Sequence, residues 1–255
     1  MRIMTYNILN GAEGRIDDVI KVVKSVAPDV LVLNEANGFE KNNYEKLKYF
    51  GGETGLLHQY LETCGDGWDY HVAVLAKENF LSVESVTPVA RAIIIAKINA
   101  GNVKCTIAGL HLTPALEKER MAESMKLLRK LSVVESTVIA GDFNSLSISD
   151  NYPKKTIDKF SDDQKRKFTS EGKAQYGVDG LFRKFGFADA ALIKGDFSKT
   201  VPTKLLGDTT HPPVRLDKVL LSPDLTDKLL EYTVVKNNLT DEISDHYPVY
   251  ADIKV

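Results

Sequence analysis

The segment "STVIAGDFN", residues 136–144, is the stretch on which the reading of the fold turns. Thr137 to Gly141 form a short run of small and β-branched residues with no polar alternation. That is the pattern of a strand buried on both faces. Such a strand should end on something inert, yet this one ends on Asp142 and Asn144. Charged residues are rarely buried unless they are paired or hold a metal. Two residues apart on an extended segment, the two side chains would point to the same side.

The same grammar recurs on both sides of this strand. "RIMTYNIL" (2–9) alternates as a strand, and "DVLVLNE" (29–35) is a buried strand closing on a carboxylate. Further strands are predicted at about 69–76, 81–87, 91–99, 103–112, 216–222, 230–236 and 247–254. Ile16, Val19, Ile20, Val23 and Val26 recur at helical spacing before Pro28. Helices are also predicted over 41–63, 115–131 and 176–185. The strands from 81 to 112 follow one another too quickly for helical crossovers, which favours antiparallel pairing. Residues 150–175 are charged and weakly periodic, a surface excursion with one short helix. No repeat or linker interrupts the chain, so residues 1–255 read as one domain of two packed mixed β-sheets flanked by helices.

Composition bounds the function. With 33 basic and 35 acidic residues the net charge is −2, so no global field draws the protein to nucleic acid or membrane. Cys64 and Cys105 have no metal-like spacing, and a disulfide partner is not expected. The longest apolar runs, such as "AIIIA" (92–96), fall far short of a membrane span. With no targeting segment evident, a reducing cytoplasm is the expected setting.

Several strands end on a polar residue: Asn7, Glu35, His111, Asp142, Asn144, Asp217, and Asp245-His246 within "EISDHYPVYADI" (242–253). Each alone is a turn former or a cap. Together, at the edges of α/β layers where sites collect, they suit metal-assisted attack on phosphate. Mg²⁺ takes hard oxygen ligands, with Mn²⁺ an alternative. Glu35 is the natural ligand, with Asn7 and Asp245 beside it. His246 titrates near working pH and can serve as general base, with Asp217 fixing its tautomer. Asp142 and Asn144 would hold the attacking water and a phosphate oxygen. His111 would donate to the transition state.

In order and approximate spacing, "TYNILNG", "LVLNEA", "GLHL", "VIAGDFNS", "RLDKVLLS" and "SDHYPV" resemble the endonuclease/exonuclease/phosphatase superfamily over residues 3–252. The resemblance implies a four-layer α/β sandwich. It also implies a metal on Glu35 with Asn7 and Asp245, a catalytic His246–Asp217 pair, and Asp142, Asn144 and His111 at the scissile phosphate. "GLHLTP" stands where abasic-site endonucleases of the family carry a "Y.PN" motif. His111 is therefore more similar to the deoxyribonuclease, sphingomyelinase and tyrosyl-phosphodiesterase branches.

Substrate contacts are expected from "GDTTHPPVRLD" (207–217), which carries His211 and Arg215, and from Arg91. Trp68 could stack a base or simply pack, and Arg120 could reach substrate or lie on a solvated face. Lys165, Arg166 and Lys167 could cap an anionic substrate, or belong to a solvated loop. The expected activity is Mg²⁺-dependent phosphodiester hydrolysis on nucleic acid or a nucleotide-linked diester. The alternatives are a phosphomonoesterase acting on a phosphorylated metabolite and a degenerate member that binds without turnover. The near-neutral charge weighs against a processive duplex nuclease.

Overall fold

Alternation along the apolar strands sorts the core into layers. Val30 and Val32 point one way and join Ile94, Ile107, Val138 and Val219 in the central core. Leu31 and Leu33, from the same strand, point the other way and pack with Val19, Val23 and Phe50. A strand covered on both faces has no need of polar alternation.

In this computed structural model, which describes residues 1–64, 70–131, 136–207 and 212–255, these strands build two six-stranded sheets. In chain order they are β1 (Arg2–Asn7), β2 (Val30–Asn34), β3 (His58–Glu62), β4 (Val72–Ala76), β5 (Phe80–Ser85), β6 (Ile93–Ala100) and β7 (Val103–His111). There follow β8 (Thr137–Asp142), the two-residue strands β9 (Thr169–Ser170), β10 (Lys173–Ala174) and β11 (Ala188–Asp189), then β12 (Asp217–Leu221), β13 (Leu229–Val234) and β14 (Val249–Ile253). One sheet has the order β13-β14-β1-β2-β4-β3 and the other β11-β12-β8-β7-β6-β5. Each contains one parallel pair, β1 with β2 and β7 with β8, among antiparallel neighbours. Helices Ile16–Val26 and Lys41–Thr54 cover the first sheet. Helices Glu117–Lys130 and Gly177–Lys184 cover the second, so the layers run helix, sheet, sheet, helix.

Two glycines are required by close approach. A Cβ on Gly109 would sit 2.7 Å from a Val74 methyl and 3.1 Å from one of Val32, so β7 lies tight against the opposite sheet. At Gly141, φ is +149° and a Cβ would fall 1.9 Å from the Leu110 carbonyl oxygen, so the β7–β8 pairing needs glycine there.

Three departures from the sequence expectation have physical causes. The helix predicted over 41–63 stops at Thr54, capped by Gly55 in the left-handed conformation, and 58–62 is an edge strand on β4. Its sequence, "HQYLE", is too short and half-exposed to announce itself. The excursion 150–175 is more ordered than a charged loop. It carries helices Lys154–Ile157 and Asp162–Phe168 and the β9–β10 pair, seated on a satellite core of Tyr152, Ile157, Phe160 and Phe168. Helix Glu117–Lys130 buries Glu117, Arg120, Glu123 and Ser124 with Leu127 and Leu128, so its inner face is polar at one end.

Candidate active site

Strand register assembles the site before any side chain is considered. His111 pairs with Asp142 across β7–β8, and Asp142 with Asp217 across β8–β12. Three chemistry-bearing residues therefore stand in a row at one edge of the second sheet. On the first sheet Asn7 pairs with Asn34, the residue before Glu35, at the ends of β1 and β2. His246 comes three residues before β14, which is antiparallel to β1, so it enters from the same edge.

Asp142 is the hub. Its Oδ2 lies 3.3 Å from Asn7 Nδ2, 3.5 Å from His111 Nε2 and 3.9 Å from His246 Nε2. His246 Nδ1 lies 2.8 Å from Asp217 Oδ2. Asn7 Nδ2 also donates to Glu35 Oε1 at 3.2 Å, and the Asn10 amide donates to Glu35 Oε2 at 3.0 Å. Ser244 Oγ donates to the Asn7 carbonyl at 2.6 Å and accepts from the His246 amide at 3.3 Å, tying the "SDH" turn to the end of β1.

Two site residues hold left-handed backbones, Glu35 (φ 59°) and Asn144 (φ 46°). Neither is glycine, and such conformations cluster where side chains must be aimed. Strand alternation alone would pair Asp142 and Asn144 on one side. Instead β8 ends at Asp142, and the Asn144 amide folds back to donate to Asp142 Oδ1 at 2.8 Å, an Asx turn. Asn144 Nδ2 donates to the Leu112 carbonyl at 2.9 Å and so braces the strand end that carries His111.

Electrostatics separate the two histidines. Burial alone would lower the pKa of His246, but Asp217, Asp142 and Asp245 together hold it well above the usual imidazole range. His111 goes the other way. Burial, helped by Arg91 and His246 and opposed by Asp142, pushes it down to about 3. A neutral ring carries one N–H, and the tautomer protonated at Nε2 gives Asp142 a donor. The Glu35 carboxyl is raised, first by burial and then by the Asp245 charge, against the Asn10 amide, His246 and Asn7.

Which groups could hold a cation follows from what is already bonded. Asp142, Asp217 and His246 bring ligand atoms within 4.8 Å of one another, but His246 Nδ1 and Asp217 Oδ2 are already bonded to each other. Glu35 makes no ion pair among the described residues, although a second carboxylate, Asp245, raises its pKa. A half-buried carboxylate beside a like charge, with only amide donors on it, fits a hard divalent cation.

The other expected substrate contacts divide. Arg91 is at the site: Nη1 is 3.4 Å from His111 Nε2, the guanidinium lies 3.9 Å over the Tyr70 ring, and its buried Nε has no partner among the described residues. Arg215 is not. It is fully buried, with Nη2 2.6 Å from Asp189 Oδ2 and Nε 2.9 Å from Asp150 Oδ1, so both faces are spent inside the fold. Arg120 is likewise buried, donating to Glu117 at 2.9 Å and to the Ala115 carbonyl at 2.6 Å. Arg166 and Lys167 pair with Asp163 on their own helix. His211 and Trp68 lie outside the described residues.

Sequence reasoning missed Asn34. Its Oδ1 accepts from the Asp142 amide at 3.1 Å and its Nδ2 donates to the Leu110 carbonyl at 2.8 Å, bolting the two sheets together under the site. A second polar residue beside Glu35 in an otherwise apolar strand was the available signal.

Fold and site together define a metal-dependent phosphoester hydrolase built on a deoxyribonuclease-like sandwich. The chain belongs to the Endonuclease/Exonuclease/phosphatase family, whose family model matches residues 4–246. Among solved structures it is similar to an endonuclease/exonuclease/phosphatase family protein from Leptotrichia buccalis C-1013-b (TM-score 0.72, 16% identity, 100% of each chain covered). It is equally similar to an AP endonuclease from Archaeoglobus fulgidus (TM-score 0.72, 18% identity, 100% of each chain). A humanized D. rerio TDP2 follows at TM-score 0.66 and 16% identity, covering 100% of this chain and 99% of that one. No curated protein sequence matches closely enough to carry an argument. No helix among the described residues is long and apolar enough to cross a membrane.

Proposed function

We propose that this chain, acting as one catalytic unit, is a Mg²⁺-dependent phosphodiester hydrolase whose substrate is nucleic acid. The observation that carries the reading is Asp142 Oδ2, faced at 3.3–3.9 Å by Asn7, His111 and His246. A carboxylate ringed by polar donors, beside a second acidic pair, suits in-line attack of water on phosphorus.

Glu35 and Asp245 would hold the cation, and Mn²⁺ would substitute. Asn7, whose Nδ2 faces Glu35 and Asp142 while its Oδ1 accepts from the Leu9 amide, would have to turn its amide to add an oxygen to the set. When bound, the cation supplies Lewis-acid neutralisation of phosphate charge. Asp142 takes the proton of the attacking water as the new P–O bond forms and the bond to the leaving oxygen breaks. His246, kept protonated by the three carboxylates around it, donates to a phosphoryl oxygen, and Asp217 holds the ring. This moves the base from His246, the choice made on sequence, to Asp142, because an imidazolium has no lone pair to offer. His111, Asn144 and Arg91 position the phosphate. The AP endonuclease among the structural neighbours supports a nucleic-acid substrate.

The test compares bis-(p-nitrophenyl) phosphate with p-nitrophenyl phosphate, in Mg²⁺ and in EDTA, for the wild type and His246→Ala. Metal-dependent turnover favouring the diester and lost in the variant supports the reading. A preference for the monoester would replace it with a phosphatase, and turnover by His246→Ala at the wild-type rate would sink the mechanism.

A further inference from the structure

We infer that a basic groove beside the catalytic dyad is a second phosphate subsite, which takes the neighbouring backbone phosphate of a nucleic-acid strand. The inference rests on the hydrolase function proposed above. The groove encloses about 590 Å³ between helix Lys154–Ile157 and the segment carrying Lys199. Its cations are Lys155, Lys159 and Lys199.

Three observations single it out in a protein of net charge −2. Lys155, on the helix, and Lys159, in the turn that follows it, are exposed and have no ion-pair partner among the described residues. Their neighbour Lys154 instead pairs with Asp158 at 3.1 Å. Lys199 is half-buried, with Nζ 4.4 Å over the Tyr152 ring and 3.9 Å from Asp150, so its ammonium is held in place at the wall. Among the described residues that line the groove the one carboxylate, Asp150, has a fully buried side chain committed to Arg215 at 2.9 Å and to the Tyr152 hydroxyl at 3.0 Å. Among the described residues the exposed charge of the groove is therefore positive.

The groove adjoins the site. Thr200, next to Lys199, accepts from the Asp217 amide through Oγ1 at 3.3 Å, and its carbonyl accepts from the Tyr247 amide at 2.8 Å. The Tyr152 hydroxyl accepts from the Arg215 amide at 3.0 Å, two residues before Asp217. Residues that follow β8 and residues that precede β12 both run off the sheet at the edge where Asp142 and Asp217 stand. A phosphate here would be that of a chain passing through the site. A single-phosphate substrate would leave the groove unused.

The experiment is binding of a fluorescein-labelled single-stranded 12-mer by the full chain in EDTA, by anisotropy, across a salt series. The comparison is wild type against Lys155→Gln/Lys159→Gln, with Lys154→Gln as control. Affinity of the double variant should fall roughly ten-fold, and the salt slope should shrink by about 0.7, for the one phosphate no longer neutralised. Lys154→Gln should bind as wild type does, and turnover of bis-(p-nitrophenyl) phosphate should be unchanged in both variants. Equal affinity of wild type and double variant overturns the subsite, as does an equal loss in Lys154→Gln or no binding by wild type. Because binding is read without metal, these outcomes are separate from failure of the hydrolase reading, which shows only in turnover.

Discussion

The imidazole of His246 and the carboxylate of Asp217 meet across the gap between the two sheets, Nδ1 to Oδ2 at 2.8 Å. Asp217 opens β12 of one sheet, and His246 precedes β14 of the other. The chemistry therefore depends on how the sheets are docked, and the buried bolt through Asn34 bears directly on it.

Asp217→Asn should lower kcat by about 10²–10⁴-fold on a diester with little change in KM, because the ring loses its orienting charge. Steady-state kinetics on bis-(p-nitrophenyl) phosphate check this. Adding imidazole to His246→Ala separates the two assignments of the water's proton. Rescue that grows as pH falls below 7 identifies His246 as a donor, and rescue that grows with rising pH restores it as the base.

Glu35→Gln should weaken divalent-cation binding by at least about ten-fold, since a neutral amide replaces the strongest oxygen ligand proposed for the site. Titration calorimetry with Mn²⁺ reads this without reference to turnover. Unchanged affinity would place the cation elsewhere, with Asp142, Asp217 and His246 the next set to vary.

Arg215→Met should cost about 3–5 kcal/mol, because Asp189 and Asp150 would be left buried without their cation. Thermal unfolding should drop by roughly 6–20 °C for a chain of this size. At low temperature the folded variant should keep its KM for small diesters. A raised KM at unchanged stability would return Arg215 to the substrate.

His111 should make acid unfolding steeper. Its folded pKa, about 3, lies below the ordinary imidazole value of 6.5. Above pH 6.5 both states are neutral there and it contributes no slope. As pH falls from 6.5 towards 3, only the unfolded chain takes up the proton, so stability is lost at up to about 1.4 kcal/mol per pH unit. His111→Gln removes that component. Urea unfolding in EDTA at pH 6.5, 5.5 and 4.5 should show a shallower decline in the variant, and equal slopes would mean that His111 titrates normally.

Much of the fold was legible because strand burial leaves a local mark. "VLVLN", "VAVLA" and "TVIAG" are short apolar runs with polar stops, and each is a buried strand in its sheet. The edge strand 58–62 was missed because half-exposed strands take mixed sequence and follow a helix whose stop rests on a single Gly55. The candidates for the site stood out for the converse reason: Asn7, Glu35, His111 and Asp142 interrupt apolar runs at their ends.

The buried roles of Arg215 and Arg120 were illegible. The cation before "LD" reads as a substrate contact and the one on the helix as a substrate contact or a solvated face, and nothing near Arg215 in sequence announces Asp189 or Asp150, which lie 26 and 65 residues away. Burial and turn chemistry act over a few neighbouring residues, so the strands, their polar ends and the residue types of the site are all written locally in the chain. Which ends meet, that Asp142 lies at the centre, and that Arg91 faces the site while Arg215 turns inward were settled only by packing. Those outcomes depend on sheet register and on desolvation, which exist only once distant segments are brought together.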